Sequence, residues 1–268
     1  MTSEVMPTMR RMTTSTKRPV GAQLRQWRER RRLSQLELSI QANVSTRHLS
    51  FVETGRAKPT SEMILRLTEH LDVPLRERNS LLLAGGFAPA YPSNDLHGPQ
   101  LAAILAAVRQ VLTGHEPFPA LVVDRGWTLI EANTAVDRLT AGADPALLEP
   151  PVNVLRLALH PDGMAPRIAN LPEWRGHLLS RLHREATVAG DDSLFHLYEE
   201  LRAYPGGEST PAGSAAVAVP LRYRVDGQEL SFISTTAVFG TPLDVTVSEL
   251  AIEAFYPADA STAAALRV

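Results

Sequence analysis

The stretch around residue 46 carries side chains of the types that hydrogen-bond to the edges of DNA bases. Ser45 can accept a bond from a free backbone N–H group, so Ser45 or Thr46 is suited to cap a helix that ends near Glu53. Leu49 and Val52 are three residues apart and would face inward. The outward face of the first two turns then consists of Thr46, Arg47, Ser50 and Phe51. A helix that enters the major groove presents such positions to bases.

A second short helix must precede this one and hold it in place. Ser34 is followed three residues later by Glu37, which is the spacing of a capping box and predicts a helix over residues 35–42. Asn43 can take the left-handed conformation that a sharp corner needs. The apolar packing face of this first motif helix is expected to consist of Leu36, Leu38 and Ile40. Beyond the second helix, Gly55 ends the motif, and Arg56 and Lys58 follow in a polar turn as further candidate DNA contacts.

The run SQLELSIQANVSTRHLSFVETGRAKPT, residues 34–60, resembles the helix-turn-helix of the Xre or lambda-repressor-like family. The resemblance extends over about residues 20–75 and includes the opening Gln and the E-x-G-x-x-x-P ending. In that family the Gln holds a phosphate and the start of the second motif helix reads bases. The resemblance therefore implies that Gln35 contacts phosphate. It implies base contacts from Ser45, Thr46, Arg47 and Ser50. Phe51 stands where many relatives carry a polar side chain, and it would contact a thymine methyl group or pack.

Three further helices complete an all-α domain that we expect over residues 19–86. The first, over residues 20–32, has Leu24 and Trp27 on its apolar stripe. Its arginines are expected to face solvent or phosphate: Arg25, Arg28, Arg30, Arg31 and Arg32. Two more helices begin near Ser61 and Pro74, which makes five helices in all.

Charge is divided unequally along the 268 residues. Residues 1–90 contain 15 Lys and Arg against 8 Asp and Glu, whereas residues 91–268 contain 12 against 21. A basic front half indicates a domain that binds a polyanion such as double-stranded DNA, joined to one that does not. Residues 1–18 form a basic, Ser- and Thr-containing segment without a signal-peptide core, so a disordered tail is expected there. The chain has no cysteine and no apolar run long enough to cross a bilayer, which fits a cytoplasmic protein without a membrane partner.

A Pro-, Gly- and Asn-rich linker is expected over residues 87–99, followed by a connecting helix over residues 100–114. The apolar stripe of that helix consists of Leu101, Ile104, Leu105, Val108 and Leu112. Such a stripe packs within a domain or forms the seam of a homodimer, and the sequence leaves both open. A homodimer is expected in either case, because one motif helix covers too few base pairs to select a genomic site.

The pattern of residues 115–258 predicts an α+β domain. Two short strands, over residues 120–123 and 127–132, are followed by a mainly helical stretch from Val152 to Tyr204. Three strands then follow, over residues 216–225, 229–236 and 245–256, and residues 259–268 are left as a tail. This order matches a PAS-like domain, in which a five-stranded antiparallel sheet and its helices enclose a pocket. The expected protein is therefore multidomain, with an all-α five-helix domain before an α+β domain.

Residues 115–258 also resemble the ligand-binding domain of MmyB-like transcription regulators. The resemblance lies in ALVVDRGWTLIEANTAVDRL, NVLRLALHP and LPEWRGHLLSRLHREA. In that family the domain is PAS-like and holds a fatty-acid-like or other lipophilic molecule. The resemblance therefore implies a transcription regulator that senses a small lipophilic effector and needs no other cofactor.

One helix of this domain could supply a wall for such a molecule. Trp174, Leu178 and Arg181 fall on one side of a helix that starts near Pro172, so an aromatic ring, an aliphatic chain and a cation would line up. An acidic head group would then meet a cation, and the candidates are Arg175, His177 and Arg181. Trp127 is a further candidate. Alternatively, the apolar members are core and the arginines are on the surface or pair with Glu185.

The sequence contains no pattern that supports catalysis or a metal site. It lacks HExxH, G-x-S-x-G, GxGxxG and the P-loop motif, and its histidines are not spaced to share an ion. A C-terminal domain that docks a protein partner through its acidic surface is the remaining alternative to a small-molecule sensor. An enzyme tethered to DNA is the third possibility, for which no constellation of residues is present.

Overall fold

The computed structural model describes residues 18–207 and 218–267. The chain divides into two compact units, Met1–Ala90 and Tyr91–Val268. The expected basic tail therefore lies outside the described residues, except for Arg18.

The first unit is the expected bundle of five helices within its described residues. The helices are α1 (Val20–Arg30), α2 (Gln35–Gln41), α3 (Thr46–Glu53), α4 (Ser61–His70) and α5 (Leu75–Ala84). The capping box is present, because Ser34 Oγ accepts from Glu37 N and Ser34 N donates to the Glu37 carboxylate. Asn43 has φ +50°, which confirms the left-handed corner between α2 and α3. Local caps and one corner residue thus fix where the motif helices begin.

The core of this unit brings α1 and α3 into close contact. Leu24, Leu49, Val52 and Ile64 are fully buried at its centre. Gly21 permits the contact, because a Cβ on it would lie 1.9 Å from the carbonyl oxygen of Val52. Only a residue without a side chain allows α1 to approach the backbone of α3 in this way.

The expected apolar face of α2 is wrong. Leu38 is buried at 1% exposure, but Leu36 and Ile40 are 58% and 70% exposed. Successive residues of a helix are about 100° apart, so positions two apart lie on opposite sides and cannot share a packing face. The buried side of α2 is instead completed by Ser39 and by Ala42, which follows the helix.

The second unit is an α+β domain around one antiparallel sheet. Its strands are β1 (Ala120–Val123), β2 (Leu129–Ala132), β3 (Leu221–Val225), β4 (Gln228–Val238) and β5 (Ala251–Pro257). The strand order is β2-β1-β5-β4-β3, and all pairs are antiparallel. The helices are α6 (Ala102–Gly114), α7 (Ala135–Thr140), α8 (Val154–Leu159), α9 (Leu171–Ala189), α10 (Asp192–Arg202), α11 (Val245–Ser248) and α12 (Ala260–Ala265). The five-stranded PAS-like arrangement expected from the sequence is confirmed.

Several boundaries in this unit differ from the sequence prediction. The strand expected over residues 216–225 begins only at Leu221, because residues 218–220 are not in a strand, and residues 216 and 217 lie outside the described residues. The strand expected from Val245 begins only at Ala251, because Asp244 accepts from the backbone N–H groups of Thr246 and Val247 and starts a helical turn. The expected tail contains α12. Thr262 of this helix is buried, and its hydroxyl accepts from Ser231 N. The second strand begins two residues later than expected, since Trp127 lies in the preceding loop and Thr128 forms an isolated antiparallel bridge with Asn153.

Helix α6 packs against the outer face of the sheet. Val108 and Leu112 form a buried cluster with Ala120, Val122 and Leu250. Its apolar stripe is thus a packing face within the domain, which is one of the two alternatives that the sequence left open. Part of the expected linker is also bound to this unit: Val245 N donates to Pro92 O, and Asn94 Nδ2 donates to Asp244.

Helices α7 to α10 cover the inner face of the sheet. The buried cluster on that side includes Trp174, Leu182, Leu197, Tyr223 and Phe232. This layer contains the cavity described below.

Candidate DNA interface and ligand cavity

The outer face of α3 carries the side chains expected to read bases. Ser45 Oγ accepts from His48 N at 3.1 Å, so the Ser45 hydroxyl caps the first turn of the helix. Arg47 is exposed, and its guanidinium carbon lies 5.4 Å from the centroid of the Phe51 ring. The half-buried Phe51 therefore supports the Arg47 side chain, and stacking of this kind orients a guanidinium without neutralising it.

The remaining candidates on α3 and its turn divide into structural and exposed groups. The Thr46 hydroxyl is hydrogen-bonded to the Ser39 hydroxyl at 2.7 Å, so it joins α3 to α2. Ser50 is half-buried on the second turn of α3. Arg56 and Lys58 are exposed in the following turn, where Arg56 N donates to Phe51 O at 2.8 Å. Arg47, Arg56 and Lys58 are thus the exposed cations of this face.

A buried ion pair behind α3 fixes its angle and was missed by the sequence reasoning. Arg28 was expected to face solvent or phosphate, but it is 8% exposed. Its Nε and Nη2 donate to the Glu53 carboxylate at 2.7 and 2.9 Å, and its Nη1 donates to Leu33 O at 2.7 Å. Hydrogen bonding to Glu53 raises the pKa of Arg28 against the effect of burial. A buried charge needs such a partner, which explains why Glu53 is buried at the end of the recognition helix.

The same carboxylate also holds Gln35. Gln35 Nε2 donates to Glu53 Oε2 at 2.7 Å, and the Gln35 side chain is half-buried. Arg31 is likewise structural, because its Nε and Nη2 donate to the carbonyl oxygens of Leu71 and Asp72. Two of the five arginines assigned to solvent or phosphate therefore brace the bundle.

A cavity of about 350 Å³ lies between the inner face of the sheet and helices α7 to α9. Its apolar lining includes Leu121, Leu139, Leu155, Ile168, Leu221 and Phe255. The exposed residues Ala132, Asp137 and Leu148 also line it, so it opens to the surface on that side. The volume of the cavity is within the range of small-molecule sites, and its mainly apolar lining suits an apolar ligand.

Four of the six ligand-binding candidates meet at this cavity: Trp127, Trp174, Leu178 and Arg181. Trp174 and Leu178 are also members of the buried core, at 4% and 7% exposure. The two alternatives from the sequence are therefore not exclusive, since the same side chains pack the domain and line the cavity.

Trp127 is held in an uncommon backbone conformation. Its φ is +62°, and the residue is 5% exposed. The Asp124 carboxylate accepts from Gly126 N and Thr128 N at 2.8 Å each, which fixes the turn on both sides of the tryptophan. A left-handed conformation is costly for a large residue and persists only where surrounding bonds enforce it. The turn thereby directs the indole into the cavity wall.

Arg181 is the centre of a charged cluster at the wall. Its Nη1 and Nη2 donate to the Glu253 carboxylate at 3.0 and 2.6 Å, and its Nε donates to Glu185 at 2.8 Å. Glu185 also accepts from Trp127 Nε1 at 3.0 Å, and the Trp127 ring lies 4.6 Å from the Arg181 guanidinium carbon. Burial lowers the pKa of Arg181, but the bonds to Glu253 and Glu185 outweigh it and raise the pKa.

Glu253 was not anticipated from the sequence. It is 4% exposed on β5, faces the cavity, and also accepts from Thr236 Oγ1 at 2.9 Å. The one available signal was a lone carboxylate within the apolar strand AIEAFY. A buried carboxylate in such a strand requires a cation from another element, and here Arg181 supplies it.

Arg175 and His177 are not among the residues that line the cavity. Arg175 is 3% exposed, and its Nη atoms donate to carbonyl oxygens that follow or end α10, those of Arg202, Tyr204 and Gly207. His177 stacks on Trp174, with ring centroids 5.4 Å apart. Burial, followed by the charges of Arg181 and Arg184, lowers the pKa of His177. Around the helix, Arg175 lies about 100° from Trp174 and about 120° from Arg181, so it stands at the side of the face that lines the cavity.

The described part of the chain offers neither a membrane span nor a metal cluster. No helix among the described residues is long and apolar enough to cross a membrane. No group of three or more His, Asp or Glu side chains within residues 18–207 and 218–267 could hold a metal ion.

Comparison with known proteins assigns both units. A family model described as the MmyB-like transcription regulator ligand binding domain matches residues 104–268, which is more than half of the chain. A model described as a helix-turn-helix domain matches residues 19–81. No curated protein matches the chain significantly. A solved structure described as a SinR protein/SinI protein complex is 22% identical over 35% of this chain and 80% of that chain, with a TM-score of 0.22.

Proposed function

The chain belongs to the MmyB-like transcription regulators, and we propose from this premise that a lipophilic effector in the cavity governs its binding to double-stranded DNA. One observation carries the proposal: a single chain joins a helix-turn-helix with an exposed cationic face to an apolar cavity within the domain matched as ligand-binding.

On the DNA side, we propose that Arg47 reads a base while Arg56 and Lys58 contact phosphates. Arg47 is exposed on the outward face of α3 and is oriented by Phe51. Ser50 and Phe51 would lie beside it against the bases. The hydroxyls of Ser45 and Thr46, expected from the sequence to read bases, are bound to His48 N and the Ser39 hydroxyl, so we propose that these two residues contact phosphates instead, as Gln35 would. Phosphate contacts supply most of the affinity, and base contacts supply the choice of site.

On the ligand side, we propose that the cavity accepts the apolar body of a fatty-acid-like or other lipophilic molecule. Trp127, Trp174 and Leu178 would contact that body. Its head would lie near Arg181. Arg175 and His177 would act indirectly, by bracing the C-terminal end of α10 and by stacking on Trp174.

The effector would act by binding one arrangement of the molecule more tightly than another, since equal affinity for both would shift nothing. The proposal includes a homodimer on an inverted repeat, because a single recognition helix contacts too few base pairs. It assigns no catalytic step to the protein.

The test uses the full-length protein. Preferred duplexes are selected from a random library, and the selected site is footprinted with and without a lipid extract of the producing cells. Native mass spectrometry of the purified protein searches for a bound lipid. The proposal predicts a protected inverted repeat whose protection depends on the extract. Protection unaffected by any extract, together with a protein that carries no lipid, would contradict the sensing role and leave DNA binding standing.

A further inference from the structure

The charged cluster at the cavity wall bears on the head group of the ligand. This inference rests on the proposed function, because it takes the cavity as the effector site. The sequence suggested that Arg181 would bind the carboxylate of an acidic ligand. In the structure its guanidinium is already bound by two carboxylates, those of Glu253 and Glu185.

The cluster therefore carries more negative than positive charge. Arg181 contributes one positive charge, and Glu185 and Glu253 contribute two negative charges. Asp137, which also lines the cavity, adds a further carboxylate on the exposed side. His177 is not counted as a cation here, because burial and the charges of Arg181 and Arg184 lower its pKa and so favour the neutral imidazole.

Burial makes this charge excess effective. The side chains of Arg181 and Glu253 are 15% and 5% exposed, and the rest of the lining is mostly apolar. Charges interact more strongly where water is excluded, so a second anion beside Glu253 is disfavoured. Displacing Glu253 from Arg181 would also leave a buried carboxylate without its cation.

An uncharged head group meets no such penalty. Ser234 lines the cavity and offers a hydroxyl that donates and accepts. A guanidinium has five N–H groups, of which Arg181 uses one each from Nε, Nη1 and Nη2 toward its carboxylates, so an Nη hydrogen can still meet a ligand oxygen. A cation would gain from the excess negative charge, but the apolar lining would strip it of water.

We propose that the cavity selects an uncharged lipophilic molecule with one hydrogen-bonding oxygen, such as an alcohol, ketone, lactone or ester, and disfavours a free carboxylate. The carboxylates of Glu253 and Glu185 hold Arg181 and exclude a fatty-acid anion from it. The effector class is therefore a neutral lipid or a neutral derivative of a fatty acid.

The test compares one alkyl chain with three heads. Decanol, decanoate and decylamine are titrated into the delipidated full-length protein by calorimetry at neutral pH. Decanol is expected to bind at least about tenfold more tightly than decanoate and more tightly than decylamine. Decanoate binding as tightly as decanol overturns the inference but leaves the proposed function intact. If decylamine binds most tightly, the preference for an uncharged head group is wrong. If none of the three binds, the cavity is not a lipid site.

Two variants test the cause. Glu253→Gln removes the buried negative charge. Glu185→Gln removes a negative charge from the half-exposed side of the cluster, and its amide oxygen can still accept the hydrogen bond from Trp127. Each is expected to raise the affinity for decanoate about tenfold and to change that for decanol little. Glu229→Gln is the matched control, because it removes an exposed carboxylate that pairs with Arg222. If Glu253→Gln fails to fold, Glu185→Gln serves as the test. An unchanged ratio of the decanol and decanoate affinities in Glu185→Gln contradicts the inference.

Discussion

Arg47 is the side chain on which sequence choice by this protein is expected to depend. It is exposed on α3, and its guanidinium lies over the Phe51 ring. An arginine held in one orientation loses less freedom on binding, and its planar fork matches the two acceptors of guanine.

Replacing Arg47 with alanine is expected to weaken binding at the preferred duplex by about 1–3 kcal/mol, because one bidentate base contact is lost. Fluorescence anisotropy with the preferred and a scrambled duplex measures the effect. The scrambled duplex should lose much less. Arg66→Ala removes another exposed arginine, from α4, and serves as the control. Equal losses on both duplexes would make Arg47 a phosphate contact and contradict its base-reading role.

The buried ion pair of Arg28 and Glu53 stabilises the position of α3. Water cannot replace the partner of either side chain, since both residues are less than 10% exposed. Loss of one partner therefore leaves an uncompensated buried charge.

We predict that Glu53→Leu and Arg28→Met each destabilise the protein by about 3–5 kcal/mol, whereas the double variant loses much less than the sum. Denaturant unfolding followed by circular dichroism measures the four proteins of the cycle. Additive losses would show that the pair contributes no coupling and that each side chain acts separately.

Between elements, the contact of α1 with α3 depends on the missing side chain of Gly21. A Cβ at this position would clash with the backbone of Val52, which cannot move aside as the end of a flexible side chain could. Any side chain there must push α3 away from α1.

Gly21→Ala is accordingly expected to destabilise the protein by about 1–3 kcal/mol and to weaken DNA binding through the displaced α3. Gly114→Ala, at the end of α6, is the control, because nothing lies within 4 Å of its added Cβ. That variant should be neutral or more stable by up to about 1 kcal/mol. Thermal unfolding and anisotropy measure both, and a Gly21→Ala protein as stable as its parent would contradict the close approach.

Elements also show where sequence reasoning succeeded and failed. The helices around the corner were predicted well, because caps such as Ser34 and a turn residue such as Asn43 act within a few residues. The start of β5 was not, because Val245 to Ser248 have strand-forming side chains but a buried Asp244 caps them into a helical turn. Tertiary burial of one capping residue overrode local propensity there.

Over the whole molecule, regulation requires that the effector and DNA influence each other's binding. Thermodynamic linkage makes this effect reciprocal. If decanol changes the affinity for DNA by some factor, then DNA must change the affinity for decanol by the same factor.

We therefore expect decanol to shift the affinity for the preferred duplex by about 5- to 150-fold, the usual range of allosteric coupling, with an equal shift of decanol affinity when DNA is bound. Anisotropy gives the first factor and calorimetry the second. Glu229→Gln should show the parent's coupling. Decanol affinities that are identical with and without saturating DNA would rule out coupling between the two sites.

The sequence by itself determined the helix-turn-helix, the order of the five strands with the main helices between the second and third, and four of the side chains that line the cavity. These follow from caps, helix periodicity and turn residues, which act between near neighbours in the chain. Only the tertiary structure decided which charges meet. Arg28 and Glu53 are 25 residues apart, and Arg181 and Glu253 are 72 residues apart. Burial forces each carboxylate to find its cation wherever the fold brings one, and no local pattern records that choice.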